Sequence, residues 1–154
     1  MKTTQYYGKK ADLALNMWVK LARAAATFNH LSARDIESYG LTGPQFAALE
    51  ALGHLGAMTI GDLGKKMLVT GGNMTVVIDN LEKEGFVFRQ PDENDRRSVV
   101  VDLTRKGKEL FNRIFPKHAA FIARVASVLT EKEQHELAKL LKKLGTTCRK
   151  SVVT

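Results

Sequence analysis

The 154-residue sequence predicts a mainly α-helical protein with a small β-hairpin. Three observations predict it. Apolar residues recur at helical spacing along most of the chain, and proline occurs only 3 times. Strand-like patterning is confined to one stretch, residues 86–103. Apolar residues make up 44% of the chain and charged residues 26%, the balance of a globular chain rather than a disordered one. The length suits one domain or two small lobes with a real core.

From Ala11 to about Ser38, Leu13, Met17, Leu21, Phe28 and Leu31 recur on one helical face with alanines between them. A helix this long exceeds what so small a core requires, which suggests packing on a partner subunit. Tyr39-Gly40 breaks the pattern. In "LTGPQFAALEALGHLG", Thr42 is placed to cap a second helix and Pro44 sits in its first turn, where the missing N–H costs nothing. Phe46, Leu49 and Leu52 face inward until Gly56 ends it. Thr59 can cap a short third helix, Ile60 to Met67, buried through Ile60, Leu63 and Met67. A fourth helix, about 71–84, buries Met74, Val77, Ile78 and Leu81, with Gly85 in the C′ position.

Phe86 to Gln90 and Ser98 to Leu103 read as strands; in the second, Val99, Val101 and Leu103 share one face and Ser98, Val100 and Asp102 the other. The polar connection Pro91 to Arg97 is too long for a tight turn and should protrude. Thr104 can cap a helix reaching roughly Leu129, with Leu110, Ile114, Phe121, Ile122 and Val125 buried and a kink at Pro116. Arg105, Lys106 and Lys108 crowd its first turn, where the helix dipole favours anions, a placement that is unfavourable unless phosphate lies nearby. "TEKE", Thr130 to Glu133, is a capping box for a last helix that should bury Leu137, Leu140, Leu141 and Leu144 before Gly145.

Two short helices joined by a tight turn form a helix-turn-helix, and the hairpin after it is a wing. The expected organisation is a single domain over 1–154, in which a winged helix-turn-helix lobe, 42–104, is flanked by helices 11–38 and 105–150. These outer helices carry more apolar surface than one chain covers, and dimerisation through them is the economical solution. The fourth helix leaves Gly72, Asn73, Thr75, Val76 and Asn80 off its apolar face, where a solvated face would carry more Lys and Glu. The net charge of +8 favours a polyanionic partner.

Other classes lack support. No apolar run approaches a membrane span of about 20 residues, and the N-terminus lacks the apolar core of a secretory signal. One cysteine, Cys148, cannot build an intrachain disulfide framework, which fits a reducing cytoplasm. The 4 histidines are scattered, without metal-ligand spacing. No phosphate loop or nucleophile–base pair stands out, so no metal, cofactor or enzymatic activity is expected.

The residues "DRRSVVVDLTRKG" and "NLEKEGFVFR" resemble the MarR (multiple-antibiotic-resistance regulator) family of bacterial repressors. Its pattern of an Asp, two basic residues, a strand, a Thr and a Gly three on falls on Asp95, Arg96, Arg97, Thr104 and Gly107. The resemblance implies a homodimer on a pseudo-palindromic DNA operator, with the recognition helix in the major groove and the wing, 91–97, in the minor groove. It places Arg97 in the minor groove, restrained by Asp95, and Arg96 on phosphate. Thr70, Gly72, Asn73, Thr75, Val76 and Asn80 become the recognition-helix contacts, with Asn73 best suited to a base edge. Val76 departs from the basic or tyrosyl side chain of many relatives and offers only apolar contact, as to a thymine methyl.

The same resemblance implies a small aromatic effector between the first two helices and the winged lobe, with Trp18, His30 and Phe46 as candidates. Each also has a plain reading as a core, interface or ordinary helix residue. "VTGGNMTVVIDNLEKEG" is similar to members responding to quinones or phenolic compounds. Cys148 reads as structural or incidental, with a redox role as the alternative. The expected function is a ligand-responsive transcriptional repressor in the bacterial cytoplasm, nucleoid-associated when bound. A sequence-nonspecific architectural DNA binder, and an enzyme or interaction module on a winged-helix scaffold, stand beside it.

Overall fold

The computed structural model describes residues 6–67, 71–92 and 98–151, and of 71–73 and 147–151 the backbone alone. The chain forms two compact units, residues 1–118 and 119–154. The boundary between them falls inside a helix.

Helix α1, Lys9–Glu37, starts after Gly8, and Ser38 to Gly40 turn the chain with Gly40 at φ +76°. Helix α2, Gly43–Leu55, begins with a full capping box. The Thr42 hydroxyl accepts the Gln45 N–H at 3.3 Å, and the Gln45 amide oxygen accepts the Thr42 N–H at 2.9 Å. The cap at Thr42 is as the sequence predicts; the Gln45 half of the box is an addition. Strand β1, Met58–Thr59, leads directly into α3, Ile60–Met67. Thr59 serves both elements, pairing with Val100 and accepting the Asp62 N–H at 3.1 Å. Helix α4, Gly71–Lys83, gives way to strands β2, Val87–Pro91, and β3, Val99–Leu103.

The three strands form an antiparallel sheet in the order β1-β3-β2, with Met58 opposite Val101 and Val87 opposite Leu103. Sequence periodicity does not reveal β1, because two residues cannot display an alternation. Val100 is buried where Thr59 and Gln90 flank it, whereas Val99 is exposed opposite Pro91 at the outer end of the hairpin.

The core of this unit is built from Leu49, Leu63, Met74, Ile78, Leu81, Val87 and Val101, all fully buried. Side chains of this kind each stabilise the fold by about 1.5–3 kcal/mol relative to exposure. In α3 the buried residues are Leu63 and Gly64, while Ile60 and Met67 are half-buried.

Helix α5, Arg105–Ala126, includes Pro116 and ends before the expected Leu129, where the Ser127 and Leu129 N–H groups turn back onto the Arg124 and Ala126 carbonyls. Leu110 and Ile114 are buried; Phe121, Ile122 and Val125 are half-buried. Helix α6, Glu131–Ser151, starts at the predicted Thr130–Glu133 box, in which Glu133 accepts the Thr130 N–H at 2.8 Å. Those bonds from Thr130 hold the Glu133 carboxyl below its ordinary range. The helix continues through Gly145 rather than stopping there. Its leucines also differ from expectation: Leu137, Leu140 and Leu141 are exposed. Among the described residues no helix is long and apolar enough to cross a membrane, and no cluster of His, Cys, Asp or Glu could hold a metal ion.

Candidate nucleic-acid interface

Helices α3 and α4 pack on each other and on α2, as in a helix-turn-helix. Helix α4 is fixed by Met74, Ile78 and Leu81, which point into the core with no exposed surface. Its opposite face presents Thr75, Val76 and Asn80, all exposed. Gly72 and Asn73 contribute backbone to the first turn of the same helix. Of the other expected DNA contacts, Thr70, Arg96 and Arg97 lie outside the described residues, as does Asp95.

A residue that pattern reading does not single out connects this helix to the wing. Arg89, on β2, donates from its guanidinium to both Asp79 and Glu82 of α4. One cation thereby holds two carboxylates of the helix. The partners are only 7 and 10 residues apart in sequence, but they meet through the turn at Gly85, where φ is +74°. A basic residue on a strand that follows an acidic i,i+3 pair is the only signal the sequence offers.

The base of the wing is locked to the start of α5. The Thr104 N–H donates to the Phe86 carbonyl at 3.0 Å, and the Thr104 hydroxyl donates to the Gly85 carbonyl at 2.7 Å. The same hydroxyl accepts the Gly107 N–H at 3.0 Å, capping α5. A Cβ at position 107 would lie 2.0 Å from the Phe86 oxygen, so only glycine fits. The Thr and Gly of the family pattern thus have a local structural reason.

Lys106 corrects the expectation that the basic first turn of α5 needs a phosphate. Its ammonium donates to the Glu84 carbonyl at 2.6 Å and sits 4.6 Å from the centre of the Phe86 ring. It serves the negative C-terminal end of α4, a favourable place for a cation. Arg105 pairs with Glu109 at 3.5 Å on the surface.

A buried polar group ties α1, α2 and α5 together. His118 Nδ1 lies 2.7 Å from Asp35 Oδ2, and the Tyr39 hydroxyl donates to the same oxygen at 3.1 Å. The Phe46 ring meets His118 edge-on at 4.6 Å. Burial, and then the hydrogen bond and charge of Asp35, push the Tyr39 phenol pKa up.

The three expected effector residues are not brought to one enclosed crevice. Phe46 is a core residue, while Trp18 is 59% exposed and His30 is exposed, both on α1. Trp18 and His30 are also about 18 Å apart along the helix axis, too far for one small aromatic molecule to touch both. Cys148 lies in α6, its side chain outside those described.

The comparisons with known proteins agree with this architecture. The MarR family profile matches residues 41–99. YkoM of Bacillus subtilis (strain 168), an uncharacterized HTH-type transcriptional regulator, is 39% identical over 145 residues, 94% of each chain. MhqR of the same organism, an HTH-type transcriptional regulator, is 35% identical over 138 residues, 90% of this chain and 95% of MhqR. Among solved structures, a mutant MarR from E. coli complexed with operator DNA superposes with a TM-score of 0.72 at 28% identity, covering 84% of this chain and 96% of that one. With the helix-turn-helix and the two hairpin strands in place, and relatives alike over nearly their whole length, the chain belongs to the MarR family of DNA-binding transcriptional regulators.

Proposed function

We propose that the protein is a homodimeric, ligand-responsive repressor that binds a pseudo-palindromic operator. The observation that carries this reading is the outward face of α4, small and uncharged at Thr75, Val76 and Asn80, with the acids beside it tied to Arg89. Such a face can approach base edges without repelling phosphates. Residues 42–104 are the DNA-binding lobe, with Asn73 on a base edge, Arg97 in the minor groove restrained by Asp95, and Arg96 on phosphate.

Pairing through 11–38 and 105–150 is supported by apolar side chains that a single chain leaves in water: Leu13, Met17 and Trp18 on α1, and Leu137, Leu140 and Leu141 on α6. A two-fold dimer presents two recognition helices to half-sites about 34–36 Å apart. A small aromatic or phenolic effector acts by its difference in affinity for DNA-competent and DNA-incompetent spacings of the two lobes.

Selection of DNA by the purified protein, with and without a panel of phenolic compounds, tests the whole reading. The expected result is one palindromic sequence, released by at least one compound. Arg97→Ala should weaken that complex by about 1–3 kcal/mol and leave the dimer intact. Equal affinity for every sequence would make the protein an architectural DNA binder instead.

A further inference from the structure

An apolar side chain stands at the centre of the outward face of α4. Val76 is 60% exposed, next to exposed Thr75 and one turn before exposed Asn80. Gly72 lies one turn before it. A single exposed valine is ordinary on a protein surface. Its position here is less ordinary, because valine is a poor helix former and this exposed site gives it little packing in return. The acidic residues on the following turns, Asp79 and Glu82, are held by Arg89.

Resting on the operator-binding reading above, the chemistry of the major groove narrows what Val76 can touch. Base edges there present donors and acceptors, with one apolar exception, the C5-methyl of thymine. A branched aliphatic side chain can offer nothing to the polar edges and would desolvate them without replacing their hydrogen bonds. Against a thymine methyl it removes apolar surface from water on both sides. Asn80, one turn further along, carries the amide that suits a neighbouring adenine. We propose that Val76 is a specificity-determining residue that reads one thymine in each operator half-site through its C5-methyl group.

The test uses the full chain and the DNA that it selects. Each thymine of the half-site is replaced in turn by deoxyuridine, which keeps the Watson–Crick pair and lacks only the methyl. One position should weaken binding by about fourfold per half-site, the equivalent of one buried methyl. Val76→Ala should bind the thymine operator more weakly and lose its sensitivity to deoxyuridine at that same position. Val76→Thr, which keeps the branched shape and one methyl, should fall between. Indifference of the parent protein to deoxyuridine at every position overturns the proposal, and this arm needs no variant to fold. Undiminished sensitivity in Val76→Ala overturns it as well. A chain that selects no sequence at all fails at the operator-binding reading itself.

Discussion

Replacing Gly107 by alanine probes a close approach in the winged unit. The new Cβ would sit 2.0 Å from the Phe86 oxygen and 3.0 Å from its carbonyl carbon. Carbon and oxygen in contact normally stand about 3.3–3.6 Å apart, so β2 and α5 must separate by more than about 1 Å. That separation stretches the Thr104 N–H bond to the Phe86 carbonyl, 3.0 Å, and the Thr104 hydroxyl bond to the Gly85 carbonyl, 2.7 Å. Crowding in a packed site costs about 1–3 kcal/mol, and each weakened hydrogen bond about 0.5–1.5 kcal/mol. Alanine returns about 1 kcal/mol through its better helix propensity. The balance is a loss of about 1–5 kcal/mol. Gly145→Ala is the control, because a Cβ there meets nothing within 4 Å and the same propensity gain stands alone. Urea unfolding monitored at equilibrium should move the midpoint down for Gly107→Ala and slightly up for Gly145→Ala. A Gly107→Ala protein as stable as the parent would refute the close contact and the locked wing base with it.

Asp35→Ala removes the carboxylate that binds both His118 and Tyr39, and should destabilise the fold by about 2–3 kcal/mol, with Asp35→Asn costing less. A loss below about 0.5 kcal/mol by the same unfolding assay would mean that the cluster adds nothing. Because burial and Asp35 raise the Tyr39 pKa above 10.0, the folded state favours the neutral phenol. That stabilisation is complete below the unfolded pKa and is lost as pH rises through the folded one. Tyr39→Phe should therefore remove a step in stability that the parent shows above about pH 10; identical alkaline profiles would count against it. Arg89→Ala should change stability by less than about 1 kcal/mol, since the ion pairs are partly exposed. Its larger effect should be on operator binding, measured by gel shift, where adding Asp79→Asn and Glu82→Gln restores affinity. Failure of that rescue would place the Arg89 guanidinium itself on the DNA.

The helices were legible from an apolar face, and four of them from a cap as well. Thr42, Thr59, Thr104 and Thr130 all cap as their spacing predicts. Helix α4 stood out as a candidate for DNA contact by what it lacks, since its outward face has few charges. Periodicity stops at the boundary of one element, however. It marks Leu137, Leu140 and Leu141 as one face of α6 but cannot tell what covers that face, and in the single chain they are exposed. Gly145 read as a terminus because glycine weakens a helix, yet a cost of about 1 kcal/mol does not end one that its neighbours sustain. Contacts made by the tertiary fold leave no trace of this kind. Asp35 and His118 are 83 residues apart, and no local spacing in the sequence pairs them. Strand β1 exists only because β3 is there to pair with it.

The junction at Phe86, Thr104 and Gly107 also limits how such a protein can be recombined. Exchange of DNA-binding preference between relatives invites a cut at the end of the hairpin, after Leu103. That cut would divide the Thr104 cap from the carbonyls of Gly85 and Phe86 that it joins. A donor segment ending at Leu103 would then depend on a foreign threonine and glycine meeting its own carbonyls at the same spacing. A segment carried through Gly107, with Lys106 and the Glu84 carbonyl it binds, brings its own fastening. Hybrids spliced on either side of this junction should therefore differ in whether they fold, even when the residues that face DNA are the same.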